Sequence, residues 1–253
     1  MKIIVAIKQV PERDAQVRIG GAGNGFDETG VAWALNESDA YAIEEALQLK
    51  EKHGGEVVLL SAGPERVTTT IREGLAKGAD RAIHVACDDL AGRDALGVAR
   101  LLAEAIKPES PDLVLTGLQS DDLGYGQTGV IVAELLGLPH ASLILHVEKT
   151  ETGLLVKREL EEGWLQDIEL PLPAALSIQS GGNKLRYATL MGIKKAKTKE
   201  LRAVTAGAAG ESTATLERIS APQKQKTTQI LGGSPAEAVA ALVDKLKTEA
   251  RAL

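Results

Sequence analysis

The segment best suited to bind a ligand is rich in glycine and lies between a predicted strand and a predicted helix. It follows the apolar run 112–116 and reads Gly117-Leu118-Gln119-Ser120-Asp121-Asp122-Leu123-Gly124-Tyr125-Gly126-Gln127-Thr128-Gly129. Loops at the carboxyl ends of parallel strands line the ligand crevice of open α/β sheets. Glycines allow close backbone approach, and the free N–H groups at the next helix start favour an anion. Gln127 and Thr128 could bind a phosphate there, although a glycine-rich connection without a ligand is also consistent with the sequence.

Two further segments are expected at the same rim of the sheet. Gly63 follows the second predicted strand, and Asn36-Glu37-Ser38-Asp39 precedes the first predicted helix. Together with the glycine-rich segment they favour a nucleotide site only modestly, because each is also typical of an ordinary strand–helix connection.

Other signatures of chemistry are missing. The sequence has no Gly-x-x-x-x-Gly-Lys-Ser/Thr loop, and the glycines of segment 20–25 lack dinucleotide-binding spacing, so we predict a hairpin tip there. No nucleophile stands in a recognisable constellation. No Cys or carboxylate stands at metal-ligand spacing from a histidine; the histidines are His53, His84, His140 and His146. We therefore predict no catalytic residue and no metal site in this chain.

A basic segment with apolar residues in it, 184–202, has a different character. Neither strand alternation nor helical spacing explains its order, so we predict a loop-like surface that contacts another macromolecule. Its basic residues are Lys184, Arg186, Lys194, Lys195, Lys197, Lys199 and Arg202, and its apolar residues include Leu190, Met191 and Ile193. Nucleic acid and protein are both open as partners at this point. A net charge of −6 and an aromatic content of 2% weigh against nucleic acid.

Strand and helix signals alternate along the first part of the chain. Helices are predicted at 36–52, 67–77, 93–107 and 128–136, and strands at 3–7, 56–61, 82–87 and 112–116. This order predicts a mainly parallel sheet with helices on both faces, which is a three-layer, Rossmann-like α/β/α fold. A β-hairpin follows at 142–149 and 154–160, with a turn at 150–153. Residues 168–178 are predicted to be extended, with Pro171 and Pro173 marking an edge or irregular strand.

The chain divides into three predicted parts. Residues 1–194 form the α/β domain, and 195–233 form an extended arm, because large apolar residues are few there. Residues 234–253 form an amphipathic helix, which a capping box at Ser234 and Glu237 begins. The one cysteine, Cys87, excludes an internal disulfide and is predicted to be a small core residue. No apolar run reaches the roughly 18–20 residues that span a bilayer, and Met1-Lys2 leads directly into the first strand, so we expect a cytoplasmic protein.

Several segments, in order, give the chain a strong resemblance to the beta subunit of electron transfer flavoprotein over essentially its full length. They are Val5–Val10, Leu35–Asp39, Glu44–Ala46, Ser61–Pro64, Lys77–Arg81, the Gly117–Gly129 loop, Val156–Gly163 within the signature stretch Val156–Ser177, and Arg186–Leu190.

The resemblance implies an adenine-nucleotide-binding fold of this type, in which the beta subunit buries one AMP. It also implies a heterodimer with an alpha subunit that holds most of the FAD and contacts the extended arm 195–233. It implies electron transfer from flavoprotein dehydrogenases to a quinone oxidoreductase or another acceptor, without catalytic side chains in this chain. By position, the implied AMP contacts are Ala6, Asn36, Glu37, Ser38, Asp39, Ala62 and residues Gly117–Thr128. The implied partner-docking residues are Tyr187, Leu190, Met191, Ile193 and Lys195. Leu190 matches the family's anchor leucine, and Lys194–Lys199 would supply steering charge.

Some family members bind a second FAD in place of AMP and bifurcate electrons. Their loop typically reads Asp-Gly-Asp-Thr-Ala-Gln, whereas this chain has Asp122-Leu123-Gly124-Tyr125-Gly126-Gln127. The departure favours AMP. Two hypotheses from other classes stay open from the sequence: an ATP-using α/β enzyme, for which no pyrophosphate-gripping loop is found, and a nucleic-acid binder using 184–202.

Overall fold

The computed structural model describes residues 1–20, 25–88, 90–207, 212–221 and 228–253. Residues Met1–Ile219 form one compact unit, and Ser220–Leu253 form a second. The strands among the described residues, numbered along the chain, are β1 Lys2–Ala6, β2 Gln9–Pro11, β3 Arg18–Ile19, β4 Phe26–Asp27, β5 Trp33–Leu35, β6 Glu56–Gly63, β7 Arg81–Ala86, β8 Leu113–Gly117, β9 His140–Lys149, β10 Leu154–Glu159, β11 Leu165–Leu170, β12 Ala174–Ile178 and β13 Leu201–Thr205.

The α-helices of the described residues fall between these strands, and the last one lies in the second unit. They are α1 Glu37–His53, α2 Val67–Lys77, α3 Ala95–Ile106, α4 Thr128–Leu136, α5 Leu190–Ala196 and α6 Pro235–Thr248.

Nine strands of the described residues form one sheet, in the order β11-β10-β9-β12-β8-β1-β6-β7-β13. Strand β10 is antiparallel to β9 and β11, and the other neighbours in this sheet pair in parallel. Helices α1 and α2 share an apolar cluster with Ile3 and Val5, whereas α3 and α4 share a second cluster with Ile4 and Ala6. Alternate side chains of β1 are therefore buried on both faces, which explains its continuous apolar run. The predicted three-layer α/β/α fold is confirmed.

The hairpin at 142–160 also forms as predicted. Strands β9 and β10 pair antiparallel, and the N–H of Thr150 donates to the carbonyl oxygen of Gly153 at 3.0 Å. The prediction for 168–178 was wrong in detail. Two strands lie there, and β12 is in the middle of the sheet between β9 and β8, while Pro171 and Pro173 lie in the connection before it.

The loop-like prediction for 184–202 was wrong for two stretches. Residues Leu190–Ala196 form α5, and Leu201–Thr205 form β13, which pairs in parallel with β7. Part of the predicted arm 195–233 thus belongs to the main sheet, and the first compact unit reaches Ile219. The physical reason is that β7 has a free edge to which β13 adds ladder hydrogen bonds, and local sequence carries no signal for such a pairing.

Three smaller predictions concern the ends and the core. The proposed hairpin tip at 20–25 lies partly outside the described residues, although β3 and β4 on either side of it pair antiparallel. Cys87 is buried, as predicted for a small core residue. In the second unit, α6 begins with the predicted capping box, in which the hydroxyl of Ser234 accepts from the N–H of Glu237 and the Glu237 carboxylate accepts from the N–H of Ser234.

Candidate functional site

The sheet reverses its winding direction between β1 and β8. From β1 the chain adds β6 and β7 on one side, and it then returns to add β8 on the other side of β1. Ligands of open α/β sheets bind beyond the carboxyl ends of the strands at such a point. Three neighbouring strands end there in small residues, Ala6, Gly63 and Gly117. Small residues at these ends allow other backbone segments, or a ligand, to come close to the sheet.

The start of α1 is tied to the loop that follows β8. The amide Nδ2 of Asn36 and the hydroxyl of Ser38 both donate to the carbonyl oxygen of Gln119, at 2.9 and 2.7 Å. In return, Oδ1 of Asn36 accepts from the N–H of Asp121 at 2.9 Å. A Cβ on Gly117 would lie 2.3 Å from the Ser38 hydroxyl oxygen, so only glycine fits this approach. The predicted rim segments therefore meet in one place.

Asp39 bridges the ends of β1 and β8 from the first turn of α1. Its Oδ2 accepts from the N–H of Lys8 at 2.7 Å, and its Oδ1 accepts from the N–H of Gly117 at 2.9 Å. Burial raises the pKa of Asp39 to about 7, against the opposing effect of the N–H donors from Lys8 and Gly117. The carboxyl group thus fixes the spacing of two strand ends at the switch point, and its charge responds to pH near neutrality.

Lys8 is a rim residue that sequence reasoning missed. Its Nζ lies 2.6 Å from Oδ1 and 2.8 Å from Oδ2 of Asp122, and 3.3 Å from the hydroxyl of Ser120. Burial opposes the charge on Asp122, but the hydrogen bond and charge of Lys8 outweigh it and lower the pKa of this carboxyl. The available signal was position alone, because Lys8 comes two residues after the end of an apolar strand.

The start of α4 carries unused hydrogen-bond donors. No described residue accepts a hydrogen bond from the N–H groups of Thr128, Gly129 or Val130, and the first turn of α4 has no acidic residue. A Cβ on Gly129 would lie 2.3 Å from the hydroxyl oxygen of Thr116 and 2.7 Å from that of Ser177. Glycine therefore lets this helix start pack directly on β8 and β12. Free N–H groups and the helix dipole together make the place suitable for an anion.

The outer part of the loop makes fewer contacts with the protein. Leu123 and Tyr125 are each 58% exposed, and Gly124 and Gly126 both have φ of +63°, which favours glycine. Gln127 is exposed as well, directly before α4. The predicted contacts 123–127 are therefore free to reach a ligand, whereas 117–122 are held by α1 and Lys8.

The predicted docking residues lie elsewhere, in and just before α5. Exposure is 93% for Tyr187, 83% for Leu190, 61% for Met191 and 45% for Ile193, and Lys195 is also exposed. Large apolar side chains at such exposure within seven residues are unusual on a monomer surface and mark interaction sites.

The segment before α5 is fixed to α1 by an ion-pair cluster. Arg186 Nε donates to Glu44 Oε2 at 2.8 Å, and its Nη1 donates to Glu51 Oε1 at 2.6 Å. The Glu44 side chain is only 6% exposed, and although burial opposes its charge, Arg186 lowers its pKa. Sequence reasoning counted Arg186 as surface charge, whereas its role here is structural.

Concave surfaces occur away from the rim. One, of about 400 Å³, is lined by residues between 12 and 32, and another, of about 300 Å³, lies between the end of α1 and β9. Neither surface is lined by a predicted site residue, and neither includes the free backbone N–H groups at the start of α4. The rim is therefore the candidate ligand site because of its free hydrogen-bond donors and its place in the strand order, and not because of the size of a cavity.

Comparison with known proteins decides the family. The electron transfer flavoprotein domain matches residues 24–209. The chain belongs to the electron transfer flavoprotein family. It is 41% identical over 245 residues to the electron transfer flavoprotein subunit beta of Methylophilus methylotrophus, covering 92% of this chain and 93% of that protein. The subunit beta of Bradyrhizobium diazoefficiens is 38% identical over 260 residues, and the mitochondrial subunit beta of Arabidopsis thaliana is 34% identical over 256 residues. These two cover 100% and 99% of this chain, and the same shares of their own lengths.

The resemblance to electron transfer flavoprotein beta subunits is thereby confirmed, and it assigns the chain to electron transfer. The domain match includes the start of α1, the 117–129 loop and α5, while Ala6 and Lys8 lie before it. Full-length relatives of this family extend the similarity to β1. Among the described residues, no group of three or more His, Cys, Asp or Glu could hold a metal. The described part of the chain also has no helix long and apolar enough to cross a bilayer.

Proposed function

We propose that this chain is the AMP-binding beta subunit of a heterodimeric electron transfer flavoprotein. In this proposal its alpha subunit holds most of the FAD, and the heterodimer accepts electrons from flavoprotein dehydrogenases and passes them to a quinone oxidoreductase or another acceptor. The beta chain acts as a carrier subunit, without catalytic side chains of its own, and it is cytoplasmic. The observation that carries the nucleotide part is the set of free N–H donors at the start of α4, directly after the glycine-rich loop at the switch point.

The residues at the rim fit AMP by their chemistry. A phosphate needs hydrogen-bond donors, and the first turn of α4 offers three backbone N–H groups and has no acidic side chain. Gln127 and Thr128 add side-chain donors beside them. Small residues at the ends of β1 and β6, Ala6 and Ala62, leave room for a flat base. The remaining proposed contacts are residues Asn36, Glu37, Ser38 and Asp39 and the loop from Gly117 to Gly126.

The alternative within the family is a second FAD in place of AMP. The stretch Asp122–Gln127 departs from the Asp-Gly-Asp-Thr-Ala-Gln pattern of the bifurcating type, and this departure favours AMP. Lys8 further ties Asp122 into the protein, at 2.6 Å from its Oδ1, so that this carboxylate is already occupied.

The bound small molecule can be identified directly. The full chain, purified with its alpha subunit and then separately, is denatured, and the released molecule is identified by mass. We expect AMP with the beta chain and FAD only with the heterodimer. One tightly held FAD per lone beta chain, with no AMP, would overturn the AMP assignment. Turnover of ATP by the lone chain would instead favour the ATP-using enzyme.

The docking part of the proposal concerns the exposed apolar residues of 187–193. We propose that Leu190 is the anchor that enters an apolar pocket of the dehydrogenase, with Tyr187, Met191 and Ile193 around it and Lys195 steering the encounter. Because Leu190 is 83% exposed in the free chain, almost its whole side chain is available for burial on binding. Complete burial of a leucine side chain is worth about 1.5–3 kcal/mol.

Leu190→Ala tests this anchor. We expect the apparent affinity for a flavoprotein dehydrogenase to fall by about tenfold to a hundredfold, given that about 1.4 kcal/mol corresponds to a factor of ten. AMP content and heterodimer formation should stay unchanged. Leu135→Ala is the matched control, since Leu135 is 46% exposed on α4, on the opposite face of the sheet. An unchanged electron-transfer rate for Leu190→Ala would show that the anchor is elsewhere. Contact of the 195–233 stretch with the alpha subunit also stays a prediction, which cross-linking of the heterodimer would check.

A further inference from the structure

Helix α5, which carries most of the docking residues, is too short and too exposed to hold itself in place. It has seven residues, of which Ala196 alone is buried. Isolated helices shorter than about 12–15 residues are marginal in water, because nucleation costs more than a few hydrogen bonds return. Its start is capped, since the Thr189 hydroxyl accepts from the N–H of Gly192 at 3.0 Å. At its other end the carbonyl oxygen of Lys195 accepts from the N–H groups of Thr198 and Lys199, whereas that of Ala196 is bound from a different part of the chain.

Helix α2 provides those contacts through Arg72. The Nη1 of Arg72 donates to the carbonyl oxygen of Ala196 at 2.6 Å and to that of Lys199 at 2.8 Å. The last carbonyl groups of any helix lack partners within the helix. A single guanidinium of α2 thus satisfies the end of α5 and the turn that follows it, with charge-assisted bonds that are stronger than neutral ones.

The connection also runs in the opposite direction. The Nζ of Lys199, after α5, donates to the carbonyl oxygens of Leu75, at 2.9 Å, and Ala79, at the end of α2. The carboxyl end of α5 is thereby bound by a cation of α2, and the carboxyl end of α2 is bound by a cation three residues after α5. Lys199 was expected to supply steering charge, but it is half-buried and its ammonium group is used inside the protein.

Close backbone contact leaves little freedom between the two helices. A Cβ placed on Gly192 would lie 2.3 Å from the carbonyl oxygen of Ala76 in α2. The α5 backbone therefore rests directly on α2, and the reciprocal cations hold it there. Leu190 and Met191, on the first turn of α5, are carried by this pair of helices and remain exposed.

We propose that Arg72 and Lys199 are positioning residues for partner docking: they lock α5 onto α2 so that its apolar residues are presented in one fixed arrangement. The inference rests on the proposed docking function of 187–193. A preformed surface binds its partner without a free-energy cost for ordering. If the surface is formed in only a fraction of the molecules, the apparent affinity is multiplied by that fraction. If the free α5 is ordered for about a tenth of the time, the apparent affinity falls about tenfold.

The test uses the heterodimer and a flavoprotein dehydrogenase that reduces its wild-type form. For Arg72→Ala we expect faster amide hydrogen exchange over 187–199 in the free heterodimer and about a tenfold higher KM for the heterodimer as electron acceptor. The kcat should change by less than about twofold, because the flavin environment and the bound nucleotide are untouched. Lys199→Gln should act in the same direction, and Arg72→Lys should recover part of the effect, since it keeps the charge and one donor.

Glu73→Ala is the matched control, because Glu73 is the next residue of α2 and its ion pair, to Lys77 at 3.3 Å, lies within that helix. It should leave exchange and KM as in the wild type. If Leu190→Ala raises the KM but Arg72→Ala and Lys199→Gln do not, docking stands and the positioning role is refuted. If none of the three raises the KM, the docking assignment fails, and this inference fails with it. Thermal unfolding of each variant identifies any loss of the whole fold, in which case the milder Arg72→Lys and Lys199→Gln decide.

Discussion

Asp39 is the residue whose replacement tests the geometry of the rim most sharply. Asp39→Asn keeps the shape of the side chain, but the amide can accept only one of the two N–H donors, from Lys8 and Gly117, that the carboxylate accepts. Its NH₂ group then faces the other N–H. At pH 5 the wild-type carboxyl carries its proton, but its hydroxyl oxygen can still accept from the second N–H. The amide leaves that buried donor unsatisfied at a cost of about 1–3 kcal/mol, so the variant should be less stable than the wild type at pH 5.

The cost of this replacement should depend on pH. Burial raises the pKa of Asp39 from an ordinary 3.8 to about 7, so the native protein retains a proton that the unfolded chain has lost between these values. The wild-type free energy of unfolding therefore falls as pH rises through this range, and it levels off above the native pKa. Each pKa unit corresponds to about 1.4 kcal/mol, and the fall between pH 5 and pH 8 is roughly 2–3 kcal/mol. Asn does not titrate, so the variant lacks this fall.

The measurement is urea unfolding of both proteins from pH 5 to pH 8. The difference in unfolding free energy between wild type and Asp39→Asn cancels the titration of every other group. We expect this difference to shrink by roughly 2–3 kcal/mol from pH 5 to pH 8. Asp14→Asn, at an exposed position after β2, checks that the trend belongs to position 39. A difference that stays constant with pH would refute the reasoning, because it would mean that the N–H donors outweigh burial and keep Asp39 ionised throughout.

Three further predictions address other contacts. Arg186→Ala should lower the free energy of unfolding by about 3–5 kcal/mol in urea titrations, since Glu44 keeps a charge at 6% side-chain exposure without its partner; a loss under about 1 kcal/mol would mean that water reaches this carboxylate. Gly129→Ala should lower the AMP released per chain, because its Cβ would lie 2.3 Å from the hydroxyl oxygen of Thr116 in β8 and would displace the start of α4; full AMP content would argue against a phosphate there. Asp94→Ala should speed amide exchange at Thr213, whose N–H donates to that carboxylate at 2.7 Å. The N–H of Gly97, followed by the groups of Thr213, lowers the pKa of Asp94 to about 2, so this protection should be present at neutral pH and be lost as pH falls from about 4 towards 2; equal exchange in both proteins at pH 7 would contradict the assignment.

Elements that depend on interactions between residues close in sequence were predicted correctly, whereas elements that depend on contacts between distant residues were missed. Helices α2 and α4 begin and end where the sequence predicts, because the glycine that ends each helix and the apolar spacing are local signals. Helix α5 was missed, because its apolar residues stay exposed and show no core-facing pattern. The hydroxyl of Thr189 binds an N–H group at its start, but the carbonyl oxygen of Ala196 at its end is bound by the distant Arg72. Residues 168–178 were predicted to form an edge or irregular strand because of Pro171 and Pro173. Strand β11 does lie at the edge of the sheet, but β12 lies between β9 and β8, where its five residues are all buried.

The candidate site shows the same division. The glycine-rich loop and residues 36–39 could be predicted, because their residue types and their places after a strand and before a helix are written in the sequence. The bonds from Asn36 to Gln119 and from Lys8 to Asp122 join residues 83 and 114 positions apart, and no local pattern indicates them.

Local residue patterns were enough to predict the alternation of strands and helices, the rim segments and the apolar surface residues around Leu190. Three features follow from the folded arrangement alone: Asp39 joins β1 and β8, Lys8 holds the loop, and Arg72 and Lys199 bind the carboxyl ends of α5 and α2. The physical reason is that a hydrogen bond or ion pair depends on which elements the sheet order places side by side. That order is fixed by the burial of both faces of the sheet as a whole, and not by any one segment.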